Sequence, residues 1–200
     1  FCAWSSDVCS SDLDTPELQA AFGTKTGYHG TARYPLARLV TFYLAHTMTV
    51  LSYAAGGYRQ DENELAESQL KALHQRDLLI GDRHFAGAHF YVRYQRAGLE
   101  FLTRKHQRLK MSAIKRLWSC GRNDFVGRLN IGKTYLRNDA TLPTWIPVRF
   151  IRAQWRGRGQ VQTEWLVTSL LDPKTYPSAE ITELYARRWR IETLLEELKI

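Results

Sequence analysis

Leu78-Leu79-Ile80-Gly81 is a short apolar run that stops on an acid, Asp82. A run of this length, bounded by polar segments, reads as a buried strand that delivers a carboxylate to its C-terminal edge. Its neighbours narrow the fold further. Upstream, Asp61 followed by Glu64 resembles a capping box and opens a helix through Leu65, Leu70 and Leu73. Downstream, Ala86 to Arg96 reads as a second helix stopped by Gly98, and Leu99 to Thr103 as the next strand. Earlier still, the β-forming runs Leu36–Leu44 and Met48–Tyr53 flank Ala45-His46-Thr47, a hairpin pattern ended by Gly56-Gly57. Strands and helices in this order predict an α/β domain.

Charge divides the chain. Its 200 residues carry a net charge of +8, which points to a polyanionic partner. Residues 1–82 hold 6 Lys and Arg against 10 Asp and Glu, residues 83–163 hold 17 against 3, and residues 164–200 hold 5 against 7. One central block therefore carries all of the excess. A bias of that size favours contact with nucleic-acid phosphates, where each neutralised charge releases counterions. A solvated basic face without a partner is the plainer alternative. No run of eighteen apolar residues argues for a membrane span, and no basic-then-apolar leader opens the chain.

The basic block changes the local pattern. Gly121, Gly127, Gly132, Gly157 and Gly159 punctuate it. Trp145–Trp155 and Val161–Ser169 read as strands joined through Arg156-Gly157-Arg158-Gly159. The block predicts a basic β-rich insertion, residues 105–170, between two parts of an α/β core at residues 14–104 and 171–200. Pro173 and Pro177 end the insertion, and Ser178 is placed to cap a final helix reaching about Lys199.

That helix holds Tyr185, Arg188, Glu192 and Lys199, spaced Tyr-x2-Arg-x3-Glu-x6-Lys. At about 100° per residue the four fall within roughly 60° of one another. Leu184, Ile191, Leu195 and Leu198 form an apolar stripe beside them. An ordinary surface pair between Arg188 and Glu192 would explain two of the four. Four matched residue types arise by chance on the order of once in a thousand chains of this length.

The spacing resembles the Tyr-Arg-Glu-Lys signature of bacterial insertion-sequence transposases with a DDE carboxylate triad, of the insertion-sequence-four type. Gly81-Asp82-Arg83-His84-Phe85 is similar to the family's second-aspartate segment, and the β-rich insertion before the third carboxylate is similar too. The resemblance implies a ribonuclease H-like mixed sheet with flanking helices. It implies two divalent ions, Mg²⁺ with Mn²⁺ able to substitute, held by Asp82 and Glu192 as catalytic ligands. Tyr185, Arg188 and Lys199 would contact phosphates of double-stranded DNA. Trp165, 27 residues before Glu192, resembles a tryptophan that holds a flipped base in some relatives, although a core tryptophan on a strand fits equally. Cleavage and strand transfer at insertion-sequence ends, a homodimeric synaptic complex and a bacterial cytoplasmic, nucleoid-associated location follow from the same resemblance. The alternative is a basic nucleic-acid-binding module without chemistry.

The family's first aspartate sits ahead of an Asp-Thr-Pro-Glu segment, which here is Asp14-Thr15-Pro16-Glu17. Phe1 to Leu13 shows no periodicity, repeats Ser-Ser-Asp, and holds Cys2 and Cys9. It resembles a translated sequencing-adapter scar, which assigns Asp7 and Asp12 to the scar and places the first aspartate in a lost upstream portion, with Asp14 as the substitute. The expectation is that the chain as written does not cleave DNA. Outside the scar only Cys120 remains, which supports no disulfide framework. Six histidines are scattered without ligand spacing.

Overall fold

The structure is a computed structural model that describes residues 2–8, 15–24, 26–27, 30–31, 35–47, 49–157 and 160–188. It divides into two compact units, residues 2–73 and residues 74–200.

The smaller unit is built on antiparallel strands. β1 (Cys2–Val8) pairs with β4 (Ala37–Leu44), which pairs in turn with β5 (Thr49–Gly57). The hairpin expected around Ala45-His46-Thr47 is therefore present. β1 falls within residues 1–13, whose composition carries no strand signal. A short helix α1 (Pro16–Phe22) follows, with Thr15 accepting the Leu18 amide at its cap. Thr26–Gly27 (β2) and Gly30–Thr31 (β3) form a two-stranded ladder. α2 (Glu62–Ser68) starts at Asp61, whose carboxylate accepts the Asn63 N–H at 2.7 Å. The cap is on the expected residue, but the helix stops five residues short of Leu73. A 3-10 turn, Leu70–Ala72, replaces its last stretch. Gln69 sits at the change and is buried because it is satisfied: its amide donates to the Val40 carbonyl and its oxygen accepts from Ser52.

The larger unit holds a six-stranded mixed sheet in the order β6-β7-β11-β10-β9-β8. β6 (Leu78–Gly81) runs parallel to β7 (Glu100–Arg104), and α3 (Ala88–Arg96) is the crossover between them. Gly98 ends α3 at φ +75°, and the Leu99 N–H closes back on the Tyr94 carbonyl, the hydrogen bond of a Schellman stop. Every other pairing is antiparallel: β7 with β11 (Gln160–Thr168), β11 with β10 (Trp145–Gly157), β10 with β9 (Asp124–Asn130), and β9 with β8 (Lys115–Gly121). β11, β10, β9 and β8 thus continue the sheet that contains the strand ending at Asp82. A short helix α4 (Lys133–Asn138) lies between β9 and β10.

β8 and β9 carry no clear sequence signal. β8 is an outer strand and almost wholly exposed, so it shows no alternation. β9 is buried along most of its length, and Gly127 interrupts its apolar residues. That glycine is no turn marker: a Cβ there would lie 2.5 Å from the Ile114 side chain.

Helices cover both faces. Strand alternation puts Phe101, Thr103, Phe150 and Val167 on one face, where Tyr91 of α3 stacks on Phe101 and its hydroxyl shares a 2.6 Å hydrogen bond with Thr103. Leu102, Arg149, Ile151, Leu166 and Thr168 point to the other face, together with Trp155, which packs on Tyr185 of α5 (Ser178–Ala186). The expected Ser178 cap is displaced by one residue. Pro177 occupies the cap position, and Ser178 is the first helical residue without a side-chain capping bond. The loop before α5 is held from below. Arg149, fully buried, forks onto Asp124 at 2.8 and 2.5 Å and donates to the carbonyls of Leu170 and Tyr176. One of the seventeen cations of the basic block is therefore structural.

The result is a mixed α/β architecture, a six-stranded mixed sheet with flanking helices, consistent with the ribonuclease H-like expectation. Among the described residues, no helix is long and apolar enough to cross a membrane.

Candidate active site at the sheet edge

Asp82 follows β6 directly, as its apolar run predicts. The turn after it fixes the carboxylate: the His84 N–H donates to Asp82 Oδ1 at 2.6 Å, and buried Phe85 anchors the loop beneath. Asp82 Oδ2 takes no hydrogen bond from the described residues. Gly81 is in register with Thr103 of the parallel neighbour, so Asp82 lies alongside Arg104 on the next strand, on the same face. Leu166 is in register with Arg104, which places Glu164 on that face as well. Glu164 accepts a salt bridge from Arg83 at 3.2 Å.

α5 brings the remaining groups over the same edge. Tyr185 is fully buried, and Arg188, just beyond the helix, is 5% exposed with its guanidinium 5.7 Å from the Tyr185 ring centre. Burial raises the pKa of the Tyr185 phenol above its ordinary value. The nearby Arg188 and Arg104 cations oppose the shift, and the Asp82 charge adds to it. The phenol is therefore protonated at neutral pH and available as a donor. Among the described residues the Tyr185 hydroxyl, Arg104 Nε and Trp155 Nε1 are buried and make no hydrogen bond of good geometry, although Arg188 lies close enough to the phenol to favour its ionised form as a donor. Unsatisfied polar atoms on the face that Arg104, Trp155 and Tyr185 share mark a place suited to a polar ligand.

The structure thus brings Asp82, Tyr185 and Arg188 together. Glu192 and Lys199 lie outside the described residues. Trp165 is half-buried and packs edge-to-face on Phe125 at 5.8 Å, on the face opposite to Tyr185. Arg104 and Trp155 were not singled out from sequence. Arg104 is one of many cations in a basic block, and its place opposite Asp82 depends on the β6–β7 register. Beside α5, a groove of about 620 Å³ is lined by Arg122, Arg152, Gln154 and Trp155, so further positive charge lies along the same helix.

A divalent ion needs hard oxygen ligands. Asp82 offers one, with Oδ2 unengaged. Among the described residues no cluster of three or more His, Cys, Asp or Glu side chains could hold a metal.

Over residues 7–200 the chain matches a family described as "Transposase DDE domain". The match begins at Asp7, inside the stretch that resembles an adapter scar. The chain is also 24% identical over 189 residues to Transposase InsG for insertion sequence element IS4 of Escherichia coli (strain K12). That alignment covers 93% of this chain and 41% of the relative, so the chain spans about two-fifths of the length of the curated relative it matches. With the family match extending over nearly its whole length, an α/β sheet ending on Asp82, and Tyr185 and Arg188 poised above that edge, the chain belongs to the transposase DDE-domain family.

Proposed function

We propose that this chain is the catalytic part of a transposase that cuts double-stranded DNA at insertion-sequence ends and joins it to a target. The reading rests on one observation above the others: a strand-end carboxylate, a protonated buried phenol and an arginine meet at one sheet edge. Asp82 and Glu192 would hold divalent ions, Mg²⁺ with Mn²⁺ as substitute, and the ions would supply charge neutralisation between attacking and leaving oxygens. The protein groups do the rest. The Asx turn at His84 holds Asp82 still, so a ligand there meets a preorganised oxygen. Tyr185 donates from its protonated phenol, and Arg188 offers a forked guanidinium to a phosphate. Lys199 would add a point charge one helix stripe further on. Trp165 would take an unstacked base only from DNA that passes round the strand end to the other face. The whole protein would act as a homodimer in a synaptic complex at the nucleoid.

The first carboxylate is the unassigned member of the set. A strand ahead of Asp14 is its expected place, and Asp7 and Asp14 are the acids on hand. The test is metal-dependent cleavage of a duplex carrying the cognate ends, by the full-length protein and by its Asp82→Asn, Glu192→Gln, Asp7→Asn and Asp14→Asn variants. Loss of cutting in the first two, with DNA binding retained, supports the reading. Cutting that survives both overturns it. Salt-sensitive binding with no cutting under any metal favours the basic binding module instead.

A further inference from the structure

Stability alone does not explain the buried ion pair of Asp124 and Arg149. Apolar residues of similar volume in place of such a pair are often neutral or stabilising. The other contacts of the guanidinium give it a reason. Nε and Nη2 hold Asp124, and Nη1 donates to the carbonyls of Leu170 and Tyr176 at 3.4 and 2.7 Å. Those two residues bound the loop that leads into α5. Between them the loop is closed on Asp172, whose carboxylate accepts the Lys174 N–H at 3.0 Å and the Thr175 hydroxyl at 2.5 Å, and whose carbonyl accepts the Tyr176 N–H at 3.0 Å. α5 itself has no side-chain cap, because Pro177 stands at the cap position. The Tyr176 carbonyl therefore ties the chain down directly ahead of the helix. β10 meets α5 again further along, where Trp155 packs on Tyr185 at 5.5 Å.

We propose that Arg149 is a positioning residue for the catalytic edge: it sets the base of α5, and through it the placement of Tyr185 and Arg188 over Asp82. The proposal rests on the DNA-cleaving reading above and extends it to a residue too deeply buried to touch DNA. The lever is long. From Pro177 to Tyr185 a helix rises about 12 Å, so a tilt of about 5° at its base carries Tyr185 about 1 Å sideways. A misplacement of that size costs about 100-fold in rate where groups must be aligned for reaction. Lysine is no substitute. An ammonium keeps the charge opposite Asp124 but lacks the planar fork that reaches one carboxylate and two carbonyls together.

The test is metal-dependent cleavage of a duplex carrying the cognate ends by the full-length protein. Single-turnover rates at saturating protein separate chemistry from binding. Arg149→Lys and the apolar pair Asp124→Leu with Arg149→Met are compared with Gly127→Ala, which overpacks the opposite face of the same sheet. All are assayed at one temperature at which circular dichroism shows them folded. Each is also prepared with fluorotyrosine at position 185, whose ¹⁹F resonance reports the surroundings of the ring without turnover. Cleavage by Arg149→Lys and by the apolar pair is expected to fall on the order of 10- to 100-fold, and DNA affinity by less. Their ¹⁹F resonance shifts or splits, and Gly127→Ala changes neither rate nor resonance. Cleavage at the unmodified rate in the apolar pair, or in Arg149→Lys if the pair does not fold, overturns the proposal. So does an unmoved resonance, and so does an equal loss in Gly127→Ala, because cleavage would then follow stability alone. An unmodified protein that binds DNA but does not cut it with any metal overturns the cleavage reading, and the positioning role with it, even where the resonance moves.

Discussion

Replacing Arg149 with methionine should cost the larger unit about 3–5 kcal/mol, the usual effect of removing one partner from a buried ion pair. The site is a severe example. Arg149 is fully buried and Asp124 is 5% exposed, so neither charge is compensated by water. The fork to Asp124 spans 2.8 and 2.5 Å, and the same guanidinium satisfies the Leu170 and Tyr176 carbonyls. Without it, one carboxylate and two carbonyls lose their donor. For a chain of this size the loss lowers the melting temperature by roughly 6–20 °C. Asp124→Leu should cost a similar amount by stranding the arginine. The double variant should cost much less than the sum, because the stranded charge is gone. It still leaves the carbonyls unsatisfied at roughly 1–3 kcal/mol each. Melting followed by circular dichroism gives the four corners of the cycle, and a coupling of at least about 2 kcal/mol is expected. Singles that add within about 0.5 kcal/mol would refute the reasoning. The double variant should also bind DNA less well than its stability implies, because Leu170 and Tyr176 lead into the helix that carries Tyr185.

Gly127→Ala should destabilise by about 1–3 kcal/mol through overpacking, since the new methyl meets Ile114 at 2.5 Å; urea titration checks this. Tyr185→Phe should keep or gain up to about 1 kcal/mol, because it removes a buried hydroxyl that makes no hydrogen bond of good geometry among the described residues, while DNA cleavage by the full-length protein falls. A large loss of stability would assign Tyr185 to the core alone. His106 has a pKa below the usual 6.5, because burial and the cations Arg108 and Lys105, with His84 and Arg83, disfavour its protonated form. The unfolded chain then holds the extra proton more tightly. Stability should fall as pH drops from about 6.5 toward the lowered folded value and level off below it. His106→Ala should flatten that part of the profile, as measured by urea midpoints across pH.

Much of this fold is legible in the residues because local chemistry and tertiary role agree. The apolar run into Asp82, the Asp61 cap and the Gly98 stop each specify one conformation, and each is found where the pattern puts it. Misreadings arise where an element's environment hides its period. β8 is exposed on an outer edge and β9 buried on both faces, so neither alternates. β1 contains Ser5-Ser6-Asp7, weak strand formers that only pairing with β4 makes regular. Gly127 reads as punctuation until the Ile114 side chain occupies the space of its missing methyl. The site divides in the same way. Tyr185 and Arg188 are legible because they lie three residues apart in sequence, Tyr185 on α5 and Arg188 just past its end. Arg104 is not, because its meaning comes from a neighbouring strand, and no spacing along the chain encodes that register.

The central claim is that Asp82 and Glu192 hold the same divalent ions. Iron-directed backbone cleavage tests it without requiring turnover. Fe²⁺ is loaded in place of Mg²⁺, ascorbate and peroxide are added, and the cuts in the protein chain are mapped by mass spectrometry. Cuts are expected next to both Asp82 and Glu192, suppressed together by excess Mg²⁺ and by Asp82→Asn. Mg²⁺-sensitive cuts at Asp82 with none near Glu192, or cuts at Glu192 that survive Asp82→Asn, would show that the two carboxylates do not share a metal.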